Sequence, residues 1–482
     1  MARRSGTTWE LIRLLLQSFG VALGASLLAV GAGAVVALAA IASRPRIKLF
    51  WQFTGIAVLM LPQFIVASSW LEWATRWHIG PSSSAEIQSF IATAAALASF
   101  LWPIPAGLIY YWWVSLAPEL LEIDPRLRDG IFVKNLLIRV AWGSAALSGC
   151  ICFGLALSNF TIPTLFQVPV YTERIWLAFS VRLDAFAALT NALPSIFTAM
   201  AFVVLSGCYG TVYPWPTADG RRSDLLRSRL GRSRVWAIVG GVLVVGVTLI
   251  WPLWTWLAPA RTWLELGSAW GAGESATRHS VVLAACAATL ALACGVFIGA
   301  RVYSRRKAAL VATRLSWLAF LVPGVVLGIV INKSISPWSG DSQVPVIISL
   351  VVRYLGFSLS GMVAVYHSLD RGQSDSVRLV SGGAWTHWRI AVWPQARGRI
   401  LTIWYITYLL SLWDVETVTL LAPPGGETLA LRIFNLLHYG HASQVKALCV
   451  ILTGTGLFPA VIFQLVSLTA RMRMRHTTRR DS

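Results

Sequence analysis

Few residues in this chain could do chemistry in an apolar setting. Asp414 and Glu416 stand two residues apart in LSLWDVETVTLL, and Arg353 lies inside the apolar run around VVRYLG. Ionisable groups at membrane depth line pathways, pair with one another or mark gates. Two roles suit the carboxylates: a polar lining or gate, or helix-end groups resting in the interface. The long side chain of Arg353 permits snorkelling to the membrane surface. The turn APPGGET (422–428), centred on Pro424 and Gly425, would re-enter from the outside and line the same pathway. His438 and His441 have metal-like spacing in LLHYGHAS, but two ligands without a third do not make a site, so no metal is expected. The six cysteines fall in or beside apolar runs with no histidine-paired spacing and suit packing. There is no convergent set of carboxylates or histidines on one aqueous face of the kind a membrane transferase would need, and the chain is expected not to be an enzyme.

The elements that carry these residues follow from composition. The 482 residues are 56% hydrophobic and only 12% charged. A soluble domain carries about 25% charged residues. Apolar runs of about 20 residues cross a bilayer as helices because a helix satisfies its own backbone. Eleven such runs are expected, at 19–43, 49–71, 89–116, 137–159, 186–210, 235–257, 280–302, 315–333, 345–367, 400–422 and 445–469. The fold class is all-α and polytopic, and the lipid bilayer is the chain's surroundings. Pro103 and Pro105 predict a kink in the third run. The basic opening MARR precedes an apolar run that continues through Ala42 with no cleavage site, so it reads as a retained first span.

The net charge of +20 raises nucleic acid as a partner, and the placement of the charge answers it. Of the 40 Lys and Arg, 28 fall in segments 44–48, 118–139, 211–234, 301–314, 371–399 and 471–482. Those segments alternate with the others along the chain, so the positive-inside rule puts them in the cytoplasm. Nucleic acid is not expected. Arg3, Arg4 and Arg13 run against this pattern at the first span.

The chain also repeats itself. SFGVALGASLLAVGAGAVVALAA from Ser18 parallels SVVLAACAATLALACGVFIGA from Ser280, with Gly33 matching Gly295. The next runs share a central proline, Pro62 and Pro323. LALSNFTIPTLF parallels LSLWDVETVTLL and sets Asn159 opposite Asp414; Arg174-Ile175 and Arg432-Ile433 follow. The expected organisation is a first half (1–216), a basic linker (217–234), a second half (235–470) and a basic tail (471–482). Five matched spans per half would invert the second copy, and the span at 235–257 restores its orientation. Repeated halves suggest a transporter with its pathway near the pseudo-symmetry axis.

One cytoplasmic loop looks built for contact. In SDSVRLVSGGAWTHWRIAVWP (374–394), Gly382-Gly383 permit a sharp turn. A short helix then places Trp385, Trp388 and Val392 on one face. Pro394 disfavours helix at Trp393 and can open the next one. An interfacial amphipathic helix fits these residues as well as a docking element does.

The loop resembles the coupling loop of ATP-binding-cassette importer permeases. Asp375 stands where that pattern has Glu, Ser381 where it has Gly, and Pro394 at its proline; Trp385, Arg389, Ile390 and Val392 suit the intervening helix, with Ile390 one place early, and Trp388 lies within the same loop. The segments 414–448 and 159–189 resemble those of double-length permeases of the ferric-iron, thiamine, phosphonate and spermidine group, and the likeness covers nearly the whole chain. It implies docking on separate ATPase subunits, two copies, which would hold the ATP and Mg. It also implies an extracytoplasmic solute-binding protein and a bacterial inner-membrane location, with ferric iron the nearest solute. The chain itself has no G-x-x-x-x-G-K-[ST] phosphate loop and no expected cofactor. In the first half, Asp124 and Asp129 look like the approach to the motif and Arg139 like its exit, but the loop is too short, its Gly is missing, and Gly143 replaces the proline. An ion-coupled secondary transporter is the alternative that spans and repeat also allow.

Overall fold

The structure is a computed structural model describing residues 2–76, 82–116, 119, 127–182, 184–206, 220–303, 305–370, 372, 376–377, 383–438 and 442–478. Among these, every regular element is a helix. The chain opens with α1 (Ala2–Ala42), the pair α2 (Pro45–Met60) and α3 (Gln63–Arg76), and the pair α4 (Ser82–Leu101) and α5 (Pro103–Val114). Next come α6 (Asp129–Phe132), a π turn (Val133–Leu137), α7 (Ile138–Ser158), α8 (Thr161–Leu165), α9 (Tyr171–Arg182) and α10 (Ala185–Ser206). The basic segment forms α11 (Gly220–Arg229), and α12 (Ser233–Val245) runs through a π turn into α13 (Trp251–Leu257). After the short α14 (Ala260–Leu264) the order resumes with α15 (Leu266–Val302), α16 (Arg306–Leu321), α17 (Gly324–Ser334), α18 (Ser336–Ser339) and α19 (Val344–His367). The last elements are α20 (Ala384–His387), a π turn (Trp388–Val392), α21 (Trp393–Leu412), α22 (Leu429–His438) and α23 (Ala442–Thr478).

Seven helices among the described residues are long and apolar enough to cross a membrane, or up to ten if each bent pair is one span, against the eleven expected. The run at 400–422 accounts for part of the difference. Its helix starts earlier, at Trp393, takes in Gln395, Arg397 and Arg399, and stops at Leu412, so its apolar tail folds as a turn instead. Two other runs are sharply broken. α2 and α3 meet at 87°, α16 and α17 at 99°. Both breaks sit at the central prolines, where the missing N–H and the ring disfavour continuation and push the preceding residue to extended backbone. Leu61 (φ −74°, ψ 130°) and Val322 (φ −68°, ψ 136°) take nearly the same conformation. The kink expected in the third run is a 49° bend between α4 and α5.

Residues aligned between the two halves make like contacts. A β-carbon on Gly33 would lie 2.8 Å from Trp102 O, and one on Gly295 2.9 Å from Ser358 O, so α1 meets α5 and α15 meets α19 at backbone-contact distance. The Ser18 hydroxyl accepts the N–H of Tyr171, the first residue of α9, at 2.7 Å; the Ser280 hydroxyl accepts that of Leu429, the first of α22, also at 2.7 Å. Each satisfies a helix-start donor that lacks an intrahelical partner.

The intervening helix α12–α13 is bonded to both sides. Its Thr248 accepts from Trp102 (3.0 Å) and its Thr255 hydroxyl pairs with Ser69 (2.7 Å). On the other side Trp256 donates to Lys446 O (2.8 Å), while Lys446 Nζ reaches Thr255 O (3.0 Å) and Glu72 (2.6 Å). One large apolar cluster runs through both halves, joined where Phe160 meets Phe434 edge-on at 6.0 Å. Two smaller clusters lie near the arginine-rich ends, one around Phe132, Leu137 and Leu226, the other around Met362, Tyr366 and Val392.

Candidate functional site

Asp414 and Glu416 are brought together with Arg353, the three buried charged residues among those described. α21 ends at Leu412, and Asp414 caps the short 3-10 turn that follows by accepting the Thr417 N–H at 2.8 Å. Its other oxygen accepts the Tyr354 hydroxyl at 2.6 Å and the Thr417 hydroxyl at 3.1 Å. Arg353 enters from the adjacent α19. One guanidinium nitrogen lies 2.6 Å from Glu416, and the other 3.1 Å from Asp414 and 2.6 Å from Thr417 Oγ1. The fork geometry of arginine, with acceptors on two separate nitrogens, suits this three-acceptor arrangement.

The break before α17 completes the node. Pro323 leaves the start of α17 open, and Gly324 brings that start against Arg353 and Thr417. A β-carbon at Gly324 would stand 1.8 Å from Arg353 Nη1 and 2.8 Å from Thr417 Oγ1, so this glycine is what lets the guanidinium approach the elbow. α19 and the segment after α21 are thereby tied through charge-assisted hydrogen bonds, and the α16–α17 elbow packs against them. Two carboxylates against one guanidinium leave a formal excess of one negative charge. Arg353 does not snorkel, because carboxylates from another helix end reach it inside.

In the first half the aligned residues form a neutral version. Asn159 follows α7, caps the next turn through the Ile162 N–H at 3.0 Å, and donates to Gln63 at 3.1 Å. Gln63 is the first residue of α3, just past the Pro62 elbow, as Gly324 is just past Pro323. With Gly33 opposed to Trp102 and Gly295 to Ser358, stepping back five residues from each sets the apolar Leu97 opposite Arg353.

The other candidates are dispersed. Gly425 (φ 74°) lines a cavity of about 380 Å³ together with Ser275, Thr419, Pro423, Glu427 and Arg432, and Pro424 lies exposed beside it. Asp414, Glu416 and Asn159 do not line it. Of the docking loop, Asp375, Ser381 and Gly382 lie outside the described residues, as does Asp124 of the first-half loop. Gly383 opens α20 by accepting the His387 N–H at 3.0 Å. Trp385 is 74% exposed, Arg389 is exposed, and Trp388 packs against Tyr366 with ring centroids 6.5 Å apart. The expected common face of Trp385, Trp388 and Val392 is not formed: Val392 is buried while Trp385 points out. A π turn from Trp388 to Val392 takes more residues per turn than an α-helix, which shifts the faces and carries the helix past Pro394 into α21 without a stop. Asp129 (φ 54°) accepts the Arg232 N–H at 2.5 Å, and Arg139 is exposed on α7. His438 ends α22 and His441 lies outside the described residues; no cluster of three metal-ligating side chains occurs among the described ones.

Comparison with known proteins adds one relative. The chain is 24% identical over 201 residues to the spermidine/putrescine transport system permease protein PotC of Haemophilus influenzae, a match covering 39% of this chain and 74% of that protein. No family model matches the chain. No solved structure matches it either. Sequence, helices and this relative together make the chain a multi-pass membrane protein similar to a transport permease.

Proposed function

We propose that the chain is the membrane permease of an ATP-driven importer, two permease halves fused around α12–α13, serving separate ATPase subunits and an extracytoplasmic solute-binding protein. The observation that carries the reading is the similarity to PotC over most of that permease's length. The like elbows, the like Ser18 and Ser280 contacts and the like caps at Asn159 and Asp414 support a duplicated scaffold. In this reading, α20 and Trp385 meet an ATPase subunit. α21 runs on from that contact without a break, so a push on α20 is delivered at its far end to Asp414 and Glu416. There the triad passes it to the α16–α17 elbow.

For the solute we propose a cation. Ferric iron, implied by the resemblance of 414–448, and the spermidine or putrescine of PotC's name are both cationic, and the triad's excess carboxylate is the matching charge. An ion-coupled secondary transporter has the same buried carboxylate in its favour. The discriminating experiment is purification from the native membrane with solute-dependent ATP hydrolysis measured in vesicles. Under the importer reading an ATPase subunit co-purifies, and Gly383→Trp abolishes solute-stimulated hydrolysis while the protein stays in the membrane. Uptake that follows a proton gradient, with no ATPase subunit present, would select the secondary transporter.

A further inference from the structure

We infer that the cavity beside Gly425 and Arg432 is a binding site for a small carboxylate, which takes the place that a glutamate of the chain itself holds in the first half. The inference goes beyond the permease reading and does not depend on it, because it rests on how the two halves differ around one pair of aligned arginines. The repeat fixes the alignment on both sides of the site. Ser18 accepts from Tyr171 and Ser280 from Leu429, and three residues past those donors stand Arg174 and Arg432. Eight residues before the two serines, on the continuous helices α1 and α15, stand Glu10 and Ala272.

In the first half the Glu10 carboxylate lies 3.8 Å from Arg174, so α1 supplies the charge that faces the arginine of α9. In the second half Ala272 has no such group to offer. The space between α15 and α22 is instead the cavity of about 380 Å³, lined by Ala272, Ser275, Pro423, Glu427, Leu431 and Arg432. That volume falls in the range of small-molecule sites.

Arg432 has a carboxylate from another source. Glu427, in the turn before α22, accepts from its Nη1, whereas the aligned residue of the first half is Pro169. This contact does not use up the guanidinium. Nη1 is the nitrogen on the same side as Cδ; the opposite edge, Nε with Nη2, is the one that grips a carboxylate through two parallel hydrogen bonds. Arg432 Nε is buried and has no hydrogen-bond partner among the described residues, a state that costs free energy until something in the cavity accepts from it. The Glu427 side chain is 37% exposed, so solvent screens its repulsion of an incoming anion. Ser275 adds a hydroxyl, while Ala272, Pro423 and Leu431 give the cavity an apolar side. The site therefore fits a carboxylate on a short apolar body. Such a ligand would bridge α15 to α22 as Glu10 and Arg174 bridge α1 to α9.

The test uses benzoate, with benzamide as its neutral counterpart of the same shape, in equilibrium dialysis against the full chain in nanodiscs, with empty nanodiscs as the blank. Benzoate is expected to bind saturably at one per chain, and benzamide about tenfold more weakly or worse, because hydrogen bonds between charged groups outweigh those to neutral ones. Arg432→Gln should weaken benzoate by about tenfold or more. That variant also breaks the pair with Glu427, so a second one leaves the pair intact: Ala272→Glu places a carboxylate where Glu10 stands in the other half. Position 272 is exposed and accepts the longer side chain; this variant should melt no lower than the native protein and should no longer bind benzoate. Benzoate retained no better than by empty nanodiscs, benzamide bound equally well, or benzoate binding unchanged in Ala272→Glu would each overturn the inference. The benzoate and benzamide comparison needs no variant, so it decides even where Arg432→Gln fails to fold. None of these outcomes touches the permease reading, which co-purification of an ATPase subunit tests separately.

Discussion

Arg353→Met removes the one cation of the buried triad and keeps most of its volume. At an effective dielectric of about 20, Arg353 attracts Asp414 at 3.1 Å by about 5 kcal/mol and Glu416 at 2.6 Å by about 6 kcal/mol, before desolvation is subtracted. Desolvation removes several kcal/mol per ion, so the triad's net worth against apolar replacements is small. Deleting one partner is another matter: two carboxylates stay buried without their counter-ion, and such deletions cost about 3–5 kcal/mol. For a cooperative unit of about half this chain, each kcal/mol moves the midpoint by about 2–4 °C, giving a fall of about 6–20 °C. Thermal unfolding in nanodiscs, followed by the fluorescence of the chain's 24 tryptophans, reads this directly. The same logic requires rescue. Arg353→Met combined with Asp414→Asn and Glu416→Gln leaves no buried charge and should return to within about 2 kcal/mol of the native protein. A single variant that melts within a degree or two of the native protein, or a triple variant no better than the single one, would refute the argument.

Gly324→Ala puts a methyl where Arg353 Nη1 now lies and should cost about 1–3 kcal/mol, with the loss reduced in an Arg353→Met background because the clashing atom is gone; a double-mutant cycle in melting temperature measures it. Ser18→Ala and Ser280→Ala each strand one buried helix-start N–H, so each should cost about 1–3 kcal/mol, and the pair should add. Gln63→Ala, which breaks only a neutral amide pair, should lower the midpoint less than Arg353→Met in the same unfolding assay.

Much of the scaffold was legible in the sequence because its signals are local. Apolar runs announce helices, and Pro62 and Pro323 mark the elbows, though only the coordinates give bends near a right angle. The carboxylates of 414 and 416 stood out as ionisable groups at a span end. Their partner did not, because Arg353 pairs across some sixty residues of sequence (63 to Glu416), and a long side chain inside a span is equally compatible with snorkelling. The end of α21 was misplaced because an apolar composition through Leu421 says nothing about a turn capped by Asp414. The linker was read as a basic cytoplasmic segment. Leu225, Leu226 and Leu230, close to helical spacing among arginines, were the available sign that it folds back onto the protein.

The strut α12–α13, bonded to Trp102 and Ser69 on one side and Lys446 on the other, also bears on how such a protein can evolve. Two identical subunits meeting across a true dyad would carry every substitution twice, so an Arg353-type cluster would appear in duplicate or not at all. A chain whose halves are permanently introduced to each other escapes that rule. One copy can acquire a charged joint and keep its exposed loop while the other keeps an amide pair and wears a borrowed helix. Singular features can then be selected without ever having to be compatible with their own mirror image.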